Sequence, residues 1–433
     1  MKVEHLPFGS WIDEKHQRIN RRLFTDPEIY QLEQERIFEK TWLFIAHESM
    51  MPKDYDYFTT TMGQVPIVVI RTPQGFKAFI NACAHRGAKL YRTTFGHAKT
   101  ISCGFHGWTF DAHGHLLGMP KEEESGYPDF FQKSACHLTP VAKIEEYRGF
   151  IFATLNGDAP SLADHLGDTR RLIDLLVDKA PHGLEVVTGF SRYTFKGNWK
   201  MQAENGVDGW HVGATHLSYV LTIKNRAAQE DTIRPMDVSG LGMGESGFFA
   251  FPQGHCLLWG DWPNPENSPD FAHHESYKAQ FGETRAKWML RQRNLLIYPN
   301  VFLMDQMSTQ IRVFRPLAVD KTEVTIYCIA PKGEDRQARD HRLRQYEDFF
   351  NASGMATADD LAEFEYCMDG YQAAKFAPFN DSARGFKHLS HGPDARAKEL
   401  GIAPSLCGGK LEDEAIFLAQ HQAWLKLMEE AAQ

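Results

Sequence analysis

Residues 81–110 read NACAHRGAKLYRTTFGHAKTISCGFHGWTF. Cys83 and His85 form a C-x-H pair, Cys103 and His106 a C-x-x-H pair, and 17 residues separate the two pairs. Each lobe offers one thiolate and one imidazole. Four such donors can close a tetrahedral zinc site.

The same donors suit a Rieske [2Fe–2S] centre, in which two cysteines hold one iron and two histidines the other. The flanking text favours the cluster. Gly87, Gly104 and Gly107 let the backbone turn tightly, so that its N–H groups can approach the sulfurs. VPIVVIRT (65–72) reads as a strand before the first lobe, and GWTFDAHGHLLG (107–118) as a hairpin running on from the second. This predicts an all-β Rieske [2Fe–2S] domain over residues 41–156.

The chain has 433 residues, enough for two or three domains. With 42% hydrophobic and 24% charged residues it reads as a globular protein, and its formal charge of −9 speaks against a nucleic-acid binder. No signal-peptide h-region and no run of the length a membrane span needs is present, so a cytoplasmic location is expected, with no membrane partner. Seven scattered cysteines do not make a disulfide framework. Beyond Cys83 and Cys103, the other five are expected as small buried residues.

Residues 1–40 read as a helical arm that packs with the later domain: in FTDPEIYQLEQERIFEKTW (24–42), Thr25 is placed to cap a helix, with Pro27 in the first turn and Glu28 three residues after the cap. Residues 157–433 mix strands such as NLLIYPNVFLMDQ and TQIRVFRPL with helices at 335–353, 358–370 and 412–430. The fold class is therefore α+β: an all-β cluster domain inserted in a catalytic domain built on an antiparallel sheet surrounded by helices. GMGESG (242–247) matches G-x-G-x-x-G, but it follows a polar loop and runs into FFAF, so it is read as a loop. With no nicotinamide site of its own, the chain must receive electrons from another protein.

A second constellation is DGWHVGATH (208–216). On a regular helix Asp208 and His211 share a face, whereas His211 and His216 diverge by roughly 140°. Both imidazoles reach one point only if the backbone bends near Gly213. Two histidines and one carboxylate make the facial triad of non-haem Fe(II) oxygenases. Asp208 sits one turn back, better placed to orient His211 than to bind metal. The third ligand is sought in SGMATADDLAEF (353–364), where Thr357 can cap a helix beginning with Asp359 and Asp360; periodicity does not choose between the two acids.

With both constellations in place, the chain resembles the large (α) subunits of Rieske ring-hydroxylating oxygenases along nearly its whole length. The C-x-H-x17-C-x-x-H motif matches at Cys83, His85, Cys103 and His106, and NWK…EN…D-x-x-H-x4-H matches NWKMQAENGVDGWHVGATH (198–216). The resemblance implies one [2Fe–2S] cluster and one mononuclear Fe(II) per chain, the latter held by His211, His216 and Asp360. It makes Asp208 a catalytic bridge from His211 to the cluster ligand His106 of a neighbouring subunit. In this family the two centres of one chain lie too far apart for fast transfer, which implies a ring of three subunits. It also implies a small β subunit in an α3β3 assembly, and a separate NADH reductase with flavin and [2Fe–2S].

DYFTTTMGQVPI (56–67), EVTIYCIAPKGE (323–334) and RQYEDFFNASGMATADDLAEF (344–364) are similar to the benzoate, toluate and anthranilate 1,2-dioxygenase branch. That branch converts an aromatic carboxylate and O2 into a cis-1,2-dihydrodiol carboxylate. Where it typically reads DGYHVSTVHWNY, this chain has DGWHVGATHLSY; Trp210, Gly213, Ala214, Leu217 and Ser218 are among the departures. Trp210 and Leu217 are candidate substrate contacts, and an ortho-substituted benzoate such as anthranilate, salicylate or a halobenzoate is the alternative substrate. A buried substrate carboxylate needs a charge partner, for which Arg312 in TQIRVFRPL is the candidate, set against the alternative of a solvated surface arginine.

Overall fold

The computed structural model describes residues 11–230, 236–306 and 309–430, which divide into two compact units. The first, Phe38–Leu162, is all-β and somewhat longer than the 41–156 expected. Its ends are tied by the Trp42 indole, which donates to Pro160 O at 2.8 Å. Three antiparallel sheets build it: Gly75–Ile80, Val65–Thr72, Asp56–Met62 and Phe95–His97 in that order; Leu116–Gly118, Thr109–Asp111 and Thr100–Ser102; and Lys143–Tyr147, Phe150–Thr154 and Leu43–His47. In VPIVVIRT, alternation sends Val68 and Ile70 into a core shared with Phe79, Trp108, Phe110, Cys83 and Cys103. The two thiols thus lie in apolar surroundings while the loops carrying them reach the surface.

The second unit comprises the described residues of 1–37 and 163–433. Its centre is a ten-stranded sheet. Five neighbouring strands run Lys321–Pro331, Thr309–Ala318, Val301–Asp305, Gln292–Ile297 and Cys256–Gly260, all antiparallel. Val301–Asp305 and Gln292–Ile297 are buried at every residue, so both faces are covered. Alternation sorts the polar residues of these strands onto opposite faces. Arg293 and Asp305 are directly opposed, and on their face Lys179 Nζ lies 2.6 Å from Asp305 and 2.7 Å from Asp270, which Arg342 joins at 2.6 Å. Gln292, Asn294, Gln310 and Arg312 point to the other face, where Asn294 donates to Gly206 O at 2.8 Å.

The N-terminal segment differs from the helical arm expected; residues 1–10 lie outside the described residues. Ile12–Asp13 and Arg18–Asn20 are short strands, the second pairing with Phe379–Asp381, so a long-range ladder overrides local propensity. The helix begins at Pro27, capped by Asp26 rather than Thr25: Asp26 Oδ1 accepts from Glu28 N at 3.0 Å. That helix delivers Glu33, fully buried, to three donors: Lys200 Nζ (2.5 Å), Trp424 Nε1 (2.7 Å) and Trp199 Nε1 (2.8 Å). Burial holds the Lys200 pKa below its usual value, against the pull of Glu33.

The helix expected to start at Asp359 starts at Met355, with Gly354 as cap. Thr357 is therefore inside the helix and Asp360 projects inward from its second turn. GMGESG leads into the strand Ser246–Ala250, with no helix after it. Of the five cysteines expected to be buried, Cys256, Cys328 and Cys407 are; Cys136 is half-buried and Cys367 is exposed on the helix Met355–Tyr371. No described helix is long and apolar enough to cross a membrane.

Candidate metal centres and their pocket

The two cysteine lobes are built alike. Gly87 N donates to Cys83 O (2.8 Å) and Cys83 N to Ala88 O (2.8 Å); Gly107 N donates to Cys103 O (2.9 Å) and Cys103 N to Trp108 O (2.7 Å). Gly87 and Gly107 close these turns at φ +69° and +72°, where a side chain is strained. Burial pushes the Cys83 thiol up, against the N–H groups of His85 and Arg86, whereas at Cys103 burial is outweighed by the N–H groups of Phe105 and His106 together with Arg92, and its pKa falls. The His85 and His106 rings lie 4.5 Å apart, His85 stacking on Trp108 at 4.8 Å. Asn81, which sequence reasoning did not single out, pins the first lobe by accepting from Leu90 N and Tyr91 N and donating to Tyr91 O.

Gly107→Ala is expected to be much the worse of two matched substitutions. Its Cβ would stand 2.7 Å from the Pro120 ring, whereas nothing lies within 4 Å of a Cβ at Gly87. Gly87→Ala should cost only the left-handed strain of about 1–2 kcal/mol. Cluster absorbance retained per chain, measured side by side, checks the ordering; equal loss in both variants would refute it.

Among the described residues, one trio of His, Cys, Asp or Glu brings its donor atoms within 4.8 Å of one another: His211, His216 and Asp360. The Cys83, His85, Cys103 and His106 donors spread wider. One zinc with bonds of 2.0–2.3 Å would gather four donors within about 3.8 Å of each other. The wider spread fits a two-iron cluster.

In the trio, the two Nε2 atoms are 3.2 Å apart, and Asp360 Oδ1 is 3.4 Å from His211 Nε2 and 3.3 Å from His216 Nε2. The corners of an equilateral triangle of side about 3.3 Å lie about 1.9 Å from its centre, so the three donors would suit an ion with bonds of about 2.1 Å. The backbone bend that allows this falls at His216 itself (φ −100°, ψ 21°), between the short helix Val212–Thr215 and the helix Leu217–Gln229, and not at Gly213.

Each member of the trio has a neighbour that orients it. Asp208 Oδ2 lies 3.3 Å from His211 Nδ1, while its Oδ1 accepts from Trp210 N at 2.7 Å. Asp359 Oδ2 lies 3.4 Å from His216 Nδ1, and Asn205 donates to Asp360 at 3.1 Å. Burial disfavours charge on His211, but the carboxylates of Asp208 and Asp360 prevail and raise its pKa to about 10. Burial pushes His216 down, and Asp360, though buried, is held below its usual value by the two imidazoles. Two imidazoles and a carboxylate packed this tightly call for positive charge between them.

A cavity opens beside the trio. Apolar walls such as Val238, Leu258, Met304 and Phe350 are joined by the amides of Asn205, Gln292, Asn294 and Gln306. Three expected substrate contacts lie elsewhere. Trp210 is 52% exposed, with the Arg384 guanidinium 3.3 Å over its ring, and Leu217 is 53% exposed. Arg312 is neither solvated nor on the cavity wall: 1% exposed, it sits behind Phe350, donating to Phe350 O at 3.3 Å with its guanidinium 4.8 Å from that ring.

A β-domain carrying paired Cys/His lobes, with a two-histidine, one-carboxylate trio on an antiparallel-sheet unit, defines a Rieske-type non-haem iron oxygenase. Residues 41–143 match the Rieske [2Fe–2S] domain, and residues 183–396 match the ring hydroxylating alpha subunit catalytic domain. The chain belongs to the ring-hydroxylating dioxygenase α-subunit family. It is 48% identical to the toluate 1,2-dioxygenase subunit alpha of Pseudomonas putida, covering 95% of this chain and 91% of that one. It is 46% identical to the 2-halobenzoate 1,2-dioxygenase large subunit of Burkholderia cepacia, covering 95% and 89%. Naphthalene 1,2-dioxygenase with indole in its active site superposes with a TM-score of 0.82 at 26% identity, covering 96% of this chain and 93% of that one. The chain is thus an oxidoreductase that uses O2, with a Rieske cluster and a mononuclear iron as its cofactors.

Proposed function

We propose that this chain is the terminal oxygenase subunit for benzoate or a substituted benzoate, forming a cis-1,2-dihydrodiol carboxylate in cytoplasmic aromatic-acid catabolism. The observation that carries this is the convergence of His211, His216 and Asp360 beside a largely apolar cavity, in a chain similar to enzymes named for toluate and 2-halobenzoate. Cys83, His85, Cys103 and His106 hold the cluster, and His211, His216 and Asp360 the mononuclear iron. When bound, the cluster supplies electrons singly and the iron supplies O2 activation.

The chain's own residues do the rest. Asp208 orients His211 and, at a trimer interface, reaches His106 of a neighbouring subunit. Asn205 and Asp359 fix Asp360 and His216. The apolar wall excludes water from the ring being attacked. Arg312 acts on the substrate carboxylate through its field, from behind Phe350. A small β subunit in an α3β3 assembly and an NADH reductase with flavin and [2Fe–2S] complete the system. The 46% identity to the 2-halobenzoate enzyme favours, as a second reading, an ortho-substituted benzoate.

Product analysis with a panel of benzoates, a reductase and NADH tests the substrate class; absence of coupled O2 uptake with every aromatic acid would overturn it. His211→Ala should lose about one iron per chain and keep the cluster spectrum. Full iron retention would remove His211 from the ligand set.

A further inference from the structure

The cavity beside the iron trio has no lysine or arginine among its described lining residues, yet the substrate proposed above is an anion. Arg312 is screened by Phe350, to which it is already hydrogen-bonded. Direct recognition therefore falls to the four amides on the wall. Asn205 is committed to Asp360, and Asn294 is committed at both ends, donating to Gly206 O and accepting from Gln306 at 2.7 Å.

Gln292 is different. Only 4% exposed, it lies on the cavity wall, and none of the described residues hydrogen-bonds its side-chain amide. The sheet register explains its aim. Gln292 is opposed by Gly260 and lies two residues before Asn294, so it shares the cavity-facing side of the strand. Gly260 supplies the space: a Cβ there would stand 3.3 Å from Gln292 Nε2. An amide on a cavity wall that no neighbouring side chain holds is available to a ligand or a water there.

We propose that Gln292 is the specificity-determining donor for the substrate carboxylate, its Nε2 hydrogens holding the anion while the Arg312 field offsets the charge from behind Phe350. A neutral donor suits this wall because it imposes no uncompensated cation when the cavity is empty. The assignment rests on the aromatic-acid reading.

The test is calorimetric titration of the metal-loaded oxygenase with benzoate and with toluene, its neutral analogue. Gln292→Leu should weaken benzoate binding about tenfold or more and leave toluene unchanged; Gln292→Glu should abolish benzoate binding and spare toluene. Unaltered benzoate affinity in Gln292→Leu would overturn the assignment, as would equal loss of both ligands, which marks a packing role. If the unaltered enzyme binds toluene but no aromatic acid, the substrate reading falls and this assignment with it. Those outcomes separate the two failures.

Discussion

Asp208→Asn is expected to slow electron transfer from the cluster to the mononuclear site by about 100-fold while both centres stay loaded. The substitution keeps an oxygen that can accept from Trp210 N and His211 N, as Asp208 Oδ1 does now. It removes the negative charge that lies 3.3 Å from His211 Nδ1. His211 should thus remain in place but lose the group that, in the trimer proposed above, links it to the next subunit. Rapid mixing of cluster-reduced enzyme with substrate and O2, beside iron analysis, measures both quantities. Loss of the mononuclear iron would make Asp208 essential to metal binding; an unchanged transfer rate would remove it from the electron path.

Glu33→Ala should destabilise the catalytic unit by about 3–5 kcal/mol, because it strands the Lys200 ammonium in a buried site without its counter-charge. Lys200 is 3% exposed and Glu33 wholly buried, and the same carboxylate also receives the Trp199 and Trp424 indoles. The damage should spread to the iron site, since Lys200 lies on the helix Trp199–Asn205 that ends at Asn205, the donor to Asp360. Glu33→Leu combined with Lys200→Leu should recover part of the loss, the charge having been removed with its partner. Denaturant unfolding decides: a single variant within 1 kcal/mol of the parent, or a double variant worse than the single, would contradict this account.

Much of the site was legible because metal chemistry constrains spacing. The Cys83–His85 and Cys103–His106 lobes announce themselves through donors and glycines that sit next to each other in the chain. His211 and His216 do likewise. The carboxylate was harder. Asp359 and Asp360 are neighbours, and the choice depends on where the helix starts; a start at Met355 turns Asp360 inward and leaves Asp359 to support His216. The helical reading of residues 11–20 failed for a related reason. A ladder to Phe379–Asp381, far along the chain, decided their conformation.

Gln292 and Arg312 mark the limit most clearly. Both stand on strands with ordinary alternation, and nothing local separates a polar residue facing a cavity from one behind an aromatic ring. Composition and motif spacing by themselves determined the two metal centres, the α+β class and the division of labour between a cluster domain and a catalytic one, since ligand geometry and hydrophobic period are written in neighbouring residues. The resemblance named Asp360, but only the tertiary structure showed why that aspartate and not Asp359 completes the trio, that Arg312 lies behind Phe350, and that Gln292 is left uncommitted. Those are properties of the packing of strands and helices distant in sequence, where register and burial, not residue type, set what a side chain can touch.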